Sequence, residues 1–251
     1  MILAGAGTST DVLRNYLHDH GFADVETLME ERHSKVKTIR ARWRRHGVVT
    51  LAGQMAFAFL ALPLVRYAAK SRHSEIMKSN GLRTDKPIDR EVRVQSINDP
   101  EVVHRLQERR PQAVIVNGTR IIREHVLSAV DCPYINIHCG ITPAYRGVHG
   151  GYWALWSDDG KNFGATIHLV DRGVDTGPIV RHVRTSFAGD DNFSTYPLVQ
   201  LAAALPALLD VLQEVKSGLL NYRETRADAP SRQWYHPTLF QYLSGLARGV
   251  K

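Results

Sequence analysis

Cysteine is almost missing from this chain of 251 residues: Cys132 and Cys139 are the whole supply. No disulfide framework can hold such a fold, and a four-cysteine zinc site is impossible. Acid is missing from residues 32–46, which carry Arg32, Lys35, Lys37, Arg40, Arg42, Arg44 and Arg45. Charge of either sign is missing from Gly47–Val65, a run of nineteen residues. The opening Met1–Gly7 has neither the basic leading region nor the apolar length of a secretory signal. Internal repeats and low-complexity tracts are also lacking. What remains is ordinary for a globular chain, 43% apolar and 23% charged, and it excludes disordered and collagen-like classes. The length suits one large domain, or one domain with an appendage.

The formal net charge is +7, and its position says more than its size. Residues 1–110 hold 19 Lys/Arg against 13 Asp/Glu, whereas 111–251 hold 13 against 12. The basic stretch 32–46 reads either as a solvated helix face or as a surface for phosphate, nucleic acid or anionic lipid. The uncharged run is close to membrane-spanning length, although Thr50, Gly53, Gln54 and Pro63 dilute it. The leading expectation is a helix buried against the domain or a dimer mate. A membrane-surface helix held by its basic flanks comes second, and a true span third.

Elsewhere strands alternate with helices. Met1–Gly7 reads as a buried strand turning at Gly5 and Gly7 into a helix. The turn holds only two glycines of a dinucleotide fingerprint, and no clear second strand carries the acid that such a site needs. Glu26–His46 is helical in composition. A short strand is expected at Glu91–Ser96, then a helix opened by Asp99-Pro100. A buried strand follows at Ala113–Val116, a helix at Ile121–Ala129 and another buried strand at Tyr134–His138. Tyr152–Trp156 is helical, Phe163–Val170 and Pro178–Arg184 alternate like paired strands, and Asn192–Lys216 is a long helix bent at Pro197 and Pro206. This rhythm predicts an α/β fold, a doubly wound and mostly parallel sheet with a helical insert at about 26–80. The expected division is 1–219 for the domain and 220–251 for an aromatic tail packed on it.

Ligands of such sheets bind at the carboxyl ends of strands, where Asn136-Ile137-His138 lies. Residues i and i+2 of a strand face the same side, so Asn136 and His138 project together. Cys139 faces away and reads as an inert thiol. A loop, Gly140–Gly147, leads on to Gly164–Val170 and to Asp171–Gly177. An Asn/His/Asp set suits acyl transfer to an amine: Asn136 donates to a developing oxyanion, His138 stabilises charge or moves protons, and Asp175 orients His138 or relays a proton. No serine or cysteine nucleophile is needed, because the amine attacks. His168 reads as a structural histidine. His138, His149 and His168 have no standard zinc spacing, so no metal is expected.

Asn136/His138, Pro143/Arg146/Gly147, Gly164/Thr166/His168 and Asp175/Gly177/Ile179 are four blocks in order within about 45 residues. Together they resemble the formyltransferases that use 10-formyltetrahydrofolate, which act on methionyl-tRNA, glycinamide ribonucleotide or nucleotide-linked amino sugars. The resemblance covers roughly 111–185 and implies a Rossmann-like formyltransferase fold. It implies Asn136, His138 and Asp175 as catalytic residues. It also implies a folate pocket built from the backbone of Asn117, Gly118, Thr119, Arg120, Ile121 and Ile122 and from the Asp171–Asp175 loop, with Asp171 and Gly173. The acceptor side would use Pro143, Tyr145, Arg146, Gly147, His149 and Tyr152. The family's Ser-Leu-Leu-Pro is here Gly140-Ile141-Thr142-Pro143. The residues after 185 are too few for the barrel of the methionyl-tRNA enzymes, so nucleic acid is not an expected partner. The expectation is an N-formyltransferase acting on a nucleotide-linked amino sugar or similar small amine, with a homodimer as a reasonable assembly. Its location would be the cytoplasm, with contact to anionic membrane through 32–65 as an alternative. The rival readings are a hydrolase of the same formyl donor and a membrane-associated interaction protein without catalysis.

Overall fold

Ile2-Leu3-Ala4 has no polar side chain, and the strand it forms, β1 (Ile2–Gly5), is buried on both faces. The computed structural model describes residues 1–31, 35–85, 90–225 and 228–251, and of residues 35–38, 40–42 and 46 the backbone alone. Helix α1 (Thr8–Asp19) follows, then β2 (Glu26–Glu30). Helix α2 (Lys35–Ala56), a π-helical stretch at Phe57–Ala61, α3 (Leu62–Ala68) and α4 (Lys70–Ser79) then leave the sheet and return to it. The chain re-enters at β3 (Arg90–Val94) and runs through α5 (Pro100–Arg109), β4 (Val114–Asn117), α6 (Glu124–Leu127) and β5 (Tyr134–His138). After β6 (Arg146–Gly147) and α7 (Gly150–Trp156) come β7 (Gly164–Leu169), β8 (Ile179–Arg184), α8 (Tyr196–Lys216), β9 (Gln233–Trp234) and α9 (Leu239–Leu246).

Among the described residues the main sheet has the order β3-β2-β1-β4-β5-β7-β8. The first five of these strands are parallel, and β7 and β8 close the far edge antiparallel. This is the expected doubly wound, mostly parallel α/β sheet. Chain order reverses between β1 and β4, where a crevice opens at the carboxyl ends. One face is covered by α1 and α8 and the other by α5 and α6. Pro197 sits in the first turn of α8, where no backbone N–H is needed, and Pro206 lies inside the helix.

Two expectations are corrected. Glu26–Glu30 is not helical: it is a central strand, buried at all five positions. Glu, Leu and Met favour helices locally, but burial between β1 and β3 overrides that preference. The buried charges are matched by distant arginines, Glu26 by Arg109 at 2.6 Å and Arg105 at 3.2 Å, and Glu30 by Arg120. Glu30 is thus the acid on a second strand that the sequence did not reveal. Its carboxylate is already taken by the backbone N–H groups of Ile97 (2.9 Å) and Arg120 (3.0 Å).

The uncharged run is the second correction. It is not buried as a whole: in the helical segment Gly47–Ala68 only 11% of the most apolar window is covered. A single stripe faces inward. Phe57 is buried against Phe193 and Tyr242, Gln54 donates to the His236 carbonyl (2.8 Å), and a Cβ on Gly53 would meet Thr238 at 2.9 Å. Gly47 sits at φ 78° and bends α2 where the basic and apolar parts meet, a backbone state that glycine adopts without strain. Arg32 lies outside the described residues, as do the side chains of Lys35, Lys37, Arg40 and Arg42.

A buried ion pair helps to fasten the insert at its far end. Arg72 of α4 donates to both oxygens of Asp191, at 2.9 and 3.1 Å, just before α8. The Asp191 side chain is fully buried and also accepts from the Ala188 N–H and the Thr195 hydroxyl. Arg72→Met should therefore lower stability by about 1.5–3 kcal/mol, read by urea denaturation. An unchanged midpoint would mean that the pair does not hold the insert.

Candidate active site

The cross-strand register of β5 and β7 builds the site. Asn136 lies opposite His168, and His138 opposite Thr166, so the spacing of each motif reproduces the spacing of the other on a shared face. Asp175 comes from the loop after β7 with φ 52°, a left-handed conformation that aspartate tolerates better than most residues. Its carboxylate reaches between the two histidines, with Oδ2 3.4 Å from His138 Nδ1 and Oδ1 3.5 Å from His168 Nε2. The Gly147 N–H donates to Oδ2 at 2.8 Å. Burial raises the Asp175 pKa; the imidazolium form of His138, contact with His168 and the Gly147 N–H lower it, and the balance lies at about 2.

Hydrogen bonds fix the imidazoles. His138 Nε2 donates to the Tyr145 carbonyl at 2.6 Å, which leaves Nδ1 facing Asp175. Burial lowers the pKa of His138, against the pull of Asp175 and of the Tyr145 carbonyl. The ring is thus neutral at rest, with a carboxylate beside the nitrogen that would take a proton. His168 Nδ1 donates to the Leu169 carbonyl at 2.7 Å, and its Nε2 accepts from the Asn136 amide at 3.0 Å. His168, read from sequence as structural, therefore orients Asn136. The signal was present in the Gly-x-Thr-x-His block, but only strand pairing gives it meaning.

A cleft of about 320 Å³ opens above these groups. Its walls include Gly118, Thr119, Arg120, Ile121 and Ile122 on one side and Asp171, Gly173, Val174 and Asp175 on the other. Both expected segments thus meet at Asn136 and His138. Asp171 shapes its own loop, accepting from the Gly173 N–H (3.0 Å) and the Thr176 hydroxyl (2.8 Å). Asn117 does not line this cleft, and its side chain donates to Thr10 Oγ1 (2.8 Å) and Ser9 Oγ (3.2 Å), tying the glycine-rich turn to β4. A second cavity, of about 880 Å³, lies beside β5. Arg66, Lys70 and His73 line it with Thr8, Ser9, Asn117 and Cys139. Ile137 lines both spaces.

The expected acceptor residues are mostly not exposed to either space. Tyr145 is buried, stacks on Trp234, and donates its hydroxyl to Asp159 (2.8 Å). Tyr152 is buried against Phe193 and Tyr242. Arg146 joins three segments, donating to the Val174 carbonyl (2.9 Å) and the Ser231 hydroxyl (3.0 Å) while its backbone pairs with β9. The Pro143 carbonyl accepts from Arg232 N–H at 3.2 Å. His149 packs on Phe193 and shares a hydrogen with His236 across 3.1 Å, in a small recess beside Phe57. Only Gly147 of this set lines the cleft. The aromatic side chains turn inward because residues 233–242 supply the partners that bury them.

The glycine at 140 has a steric cause. A Cβ there would strike the Tyr145 carbonyl and come within 2.6 Å of His138 Nε2, the two groups that hydrogen-bond each other. Gly140→Ala should cost about 1–3 kcal/mol and displace His138, read as a lower melting temperature with a shifted His138 resonance; an unperturbed ring would contradict the packing. Burial holds His149 neutral, with a pKa lowered to about 3 from 6.5. Its folded-state value lies below the unfolded one. The stability it contributes is complete above pH 6.5 and is lost as the pH falls toward 3. His149→Asn, which suits the φ of 57°, should flatten the fall in melting temperature over that range. An equally steep fall would exclude His149 as a source.

Comparison with known proteins agrees with this geometry. The model of the formyl transferase family matches residues 63–198. The methionyl-tRNA formyltransferase of Caldanaerobacter subterraneus is 31% identical over 126 residues, 49% of this chain and 40% of that protein. The chain thus spans about two fifths of the length of the curated relatives it matches. In fold it is similar to glycinamide ribonucleotide transformylase 1 of Symbiobacterium toebii, with a TM-score of 0.55 at 17% identity, covering 90% of this chain and 93% of that one. It is also similar to the N-formyltransferase of Helicobacter canadensis, with a TM-score of 0.55 at 12% identity, covering 93% and 69%. The family match takes in β5, β7 and the Asp175 loop and covers more than half of the chain, and so the chain belongs to the formyl transferase family.

Proposed function

We propose that this protein transfers a formyl group from 10-formyltetrahydrofolate to the primary amine of a small, phosphate-bearing acceptor, of the nucleotide-linked amino-sugar class. The observation that carries this reading is the meeting of Asn136, His138 and Asp175 at the floor of a cleft whose walls are the 118–122 turn and the 171–175 loop. That cleft suits a pterin. Exposed backbone of the turn can read amide-like edges, and Ile122, Val116, Val170 and Val174 give apolar walls. The Helicobacter canadensis neighbour is a complex with folinic acid and dTDP-3-aminofucose, which supports both halves of the proposal. The larger cavity, lined by Arg66, Lys70 and His73, supports an anionic acceptor.

In this reading the acceptor nitrogen bonds to the formyl carbon and the formyl oxygen takes up negative charge. Asn136 has one amide hydrogen committed to His168 and directs the other at that oxygen. The attacking nitrogen must lose a proton. His138 Nδ1 accepts it, and Asp175 stabilises the imidazolium so formed. The bond between the formyl carbon and N10 then breaks, the proton passes to N10, and tetrahydrofolate and the formamide leave. Tyr145 keeps the His138 ring in the required tautomer through its carbonyl.

The test is tetrahydrofolate release from 10-formyltetrahydrofolate over a panel of nucleotide-linked amino sugars, with calorimetry of folate binding. Asn136→Ala and Asp175→Ala should each lower turnover by about 10²–10³-fold while circular dichroism stays native. Absence of folate binding would refute the donor, and unchanged rates in both variants would remove these residues from the mechanism. Release of formate without any acceptor would favour hydrolysis instead.

A further inference from the structure

The inward stripe of Gly47–Ala68 accounts for only a minor part of its surface. Its other side presents Val49 at 87% exposure, Phe59 at 72% and Leu64 at 71%, with Val48 and Leu60 between them. Helix α9 packs beside this segment and adds Phe240 at 81%, with Leu243 and Leu246. Contiguous apolar surface of this kind marks an interaction site. Trp43 and Tyr67, both exposed, stand near its two ends. From Arg32 to Ser74 there is no Asp or Glu, and Arg44 and Arg45 are exposed immediately before the bend at Gly47.

We infer that this ridge docks, lying flat, on the surface of an anionic phospholipid bilayer. The apolar side chains enter the boundary between headgroups and acyl chains, the arginines meet the negative headgroups, and Trp43 and Tyr67 sit at the interface. Two features select this occupant. A second copy of the chain meeting this face about a twofold axis would bring two acid-free basic segments together, with no carboxylate in 32–74 to offset them. A crossing is excluded by topology: β2 and β3 belong to one sheet, so both ends of the insert are tied to a domain on one side of a bilayer, which a single crossing helix does not allow. The inward contacts of Gln54 and Phe57 and the Arg72–Asp191 pair hold the ridge along the domain with its apolar side outward.

Flotation of the full chain tests this with vesicles of phosphatidylcholine alone and of phosphatidylcholine mixed with phosphatidylglycerol. The protein should float with the mixed vesicles, and Phe59→Ser/Leu64→Ser should lose roughly tenfold or more of that binding with native circular dichroism. Arg44→Glu/Arg45→Glu should remove the preference for anionic lipid. In the unaltered protein, brominated acyl chains should quench Trp43 fluorescence, a signal absent from Trp43→Phe. No flotation with either vesicle, flotation indifferent to both double variants, or a dimer in light scattering that Phe59→Ser/Leu64→Ser dissociates without any lipid binding would overturn the inference.

Discussion

One carboxylate organises the site. Asp175 is largely withdrawn from water, carries its charge between two imidazoles, and takes a backbone N–H from Gly147. A charge in that setting is tolerated only while its partners stay in place. The partners come from β5, β7 and β6, so this one group helps to fix the loop after β5, the loop after β7 and the central strands relative to one another. Arg146 repeats the connection from the other direction, joining the Val174 carbonyl to Ser231. The rigidity of the floor follows from electrostatics as much as from packing.

The tail is drawn into the same construction. Trp234 stacks on Trp153 at 4.7 Å and donates to the Ala144 carbonyl, while its strand pairs with Arg146–Gly147. Thr238 and Gln241 form a reciprocal cap on α9, which sets Tyr242 beneath Phe57 of the insert. The insert, the tail and the β5 loop thus share one aromatic core. The backbone carbonyl that holds His138 belongs to Tyr145, itself a member of this core.

What the sequence made legible follows a physical boundary. β5, β7 and β8 were readable because buried runs and alternation are local signals, and the shared face of Asn136 and His138 was readable because strand spacing fixes which side chains project together. Glu26–Glu30 was not readable, because its local preference is helical and the arginines that neutralise its acids lie some 80–90 residues further on. Tyr145 and Tyr152 were placed on the acceptor side because nothing nearby reveals that Asp159, Trp234 and Tyr242 bury them. The uncharged run gave its helical length correctly, and burial against the domain holds along one stripe alone. Hydropathy records what a segment would gain by being covered, and does not say whether the protein itself supplies the cover.

β5 also borders two spaces at once. Asn136 and His138 face one cavity, Cys139 lines the other, and Ile137 borders both. Ile137 is therefore part of the lining of each space, so a shift of β5 that widens one narrows the other.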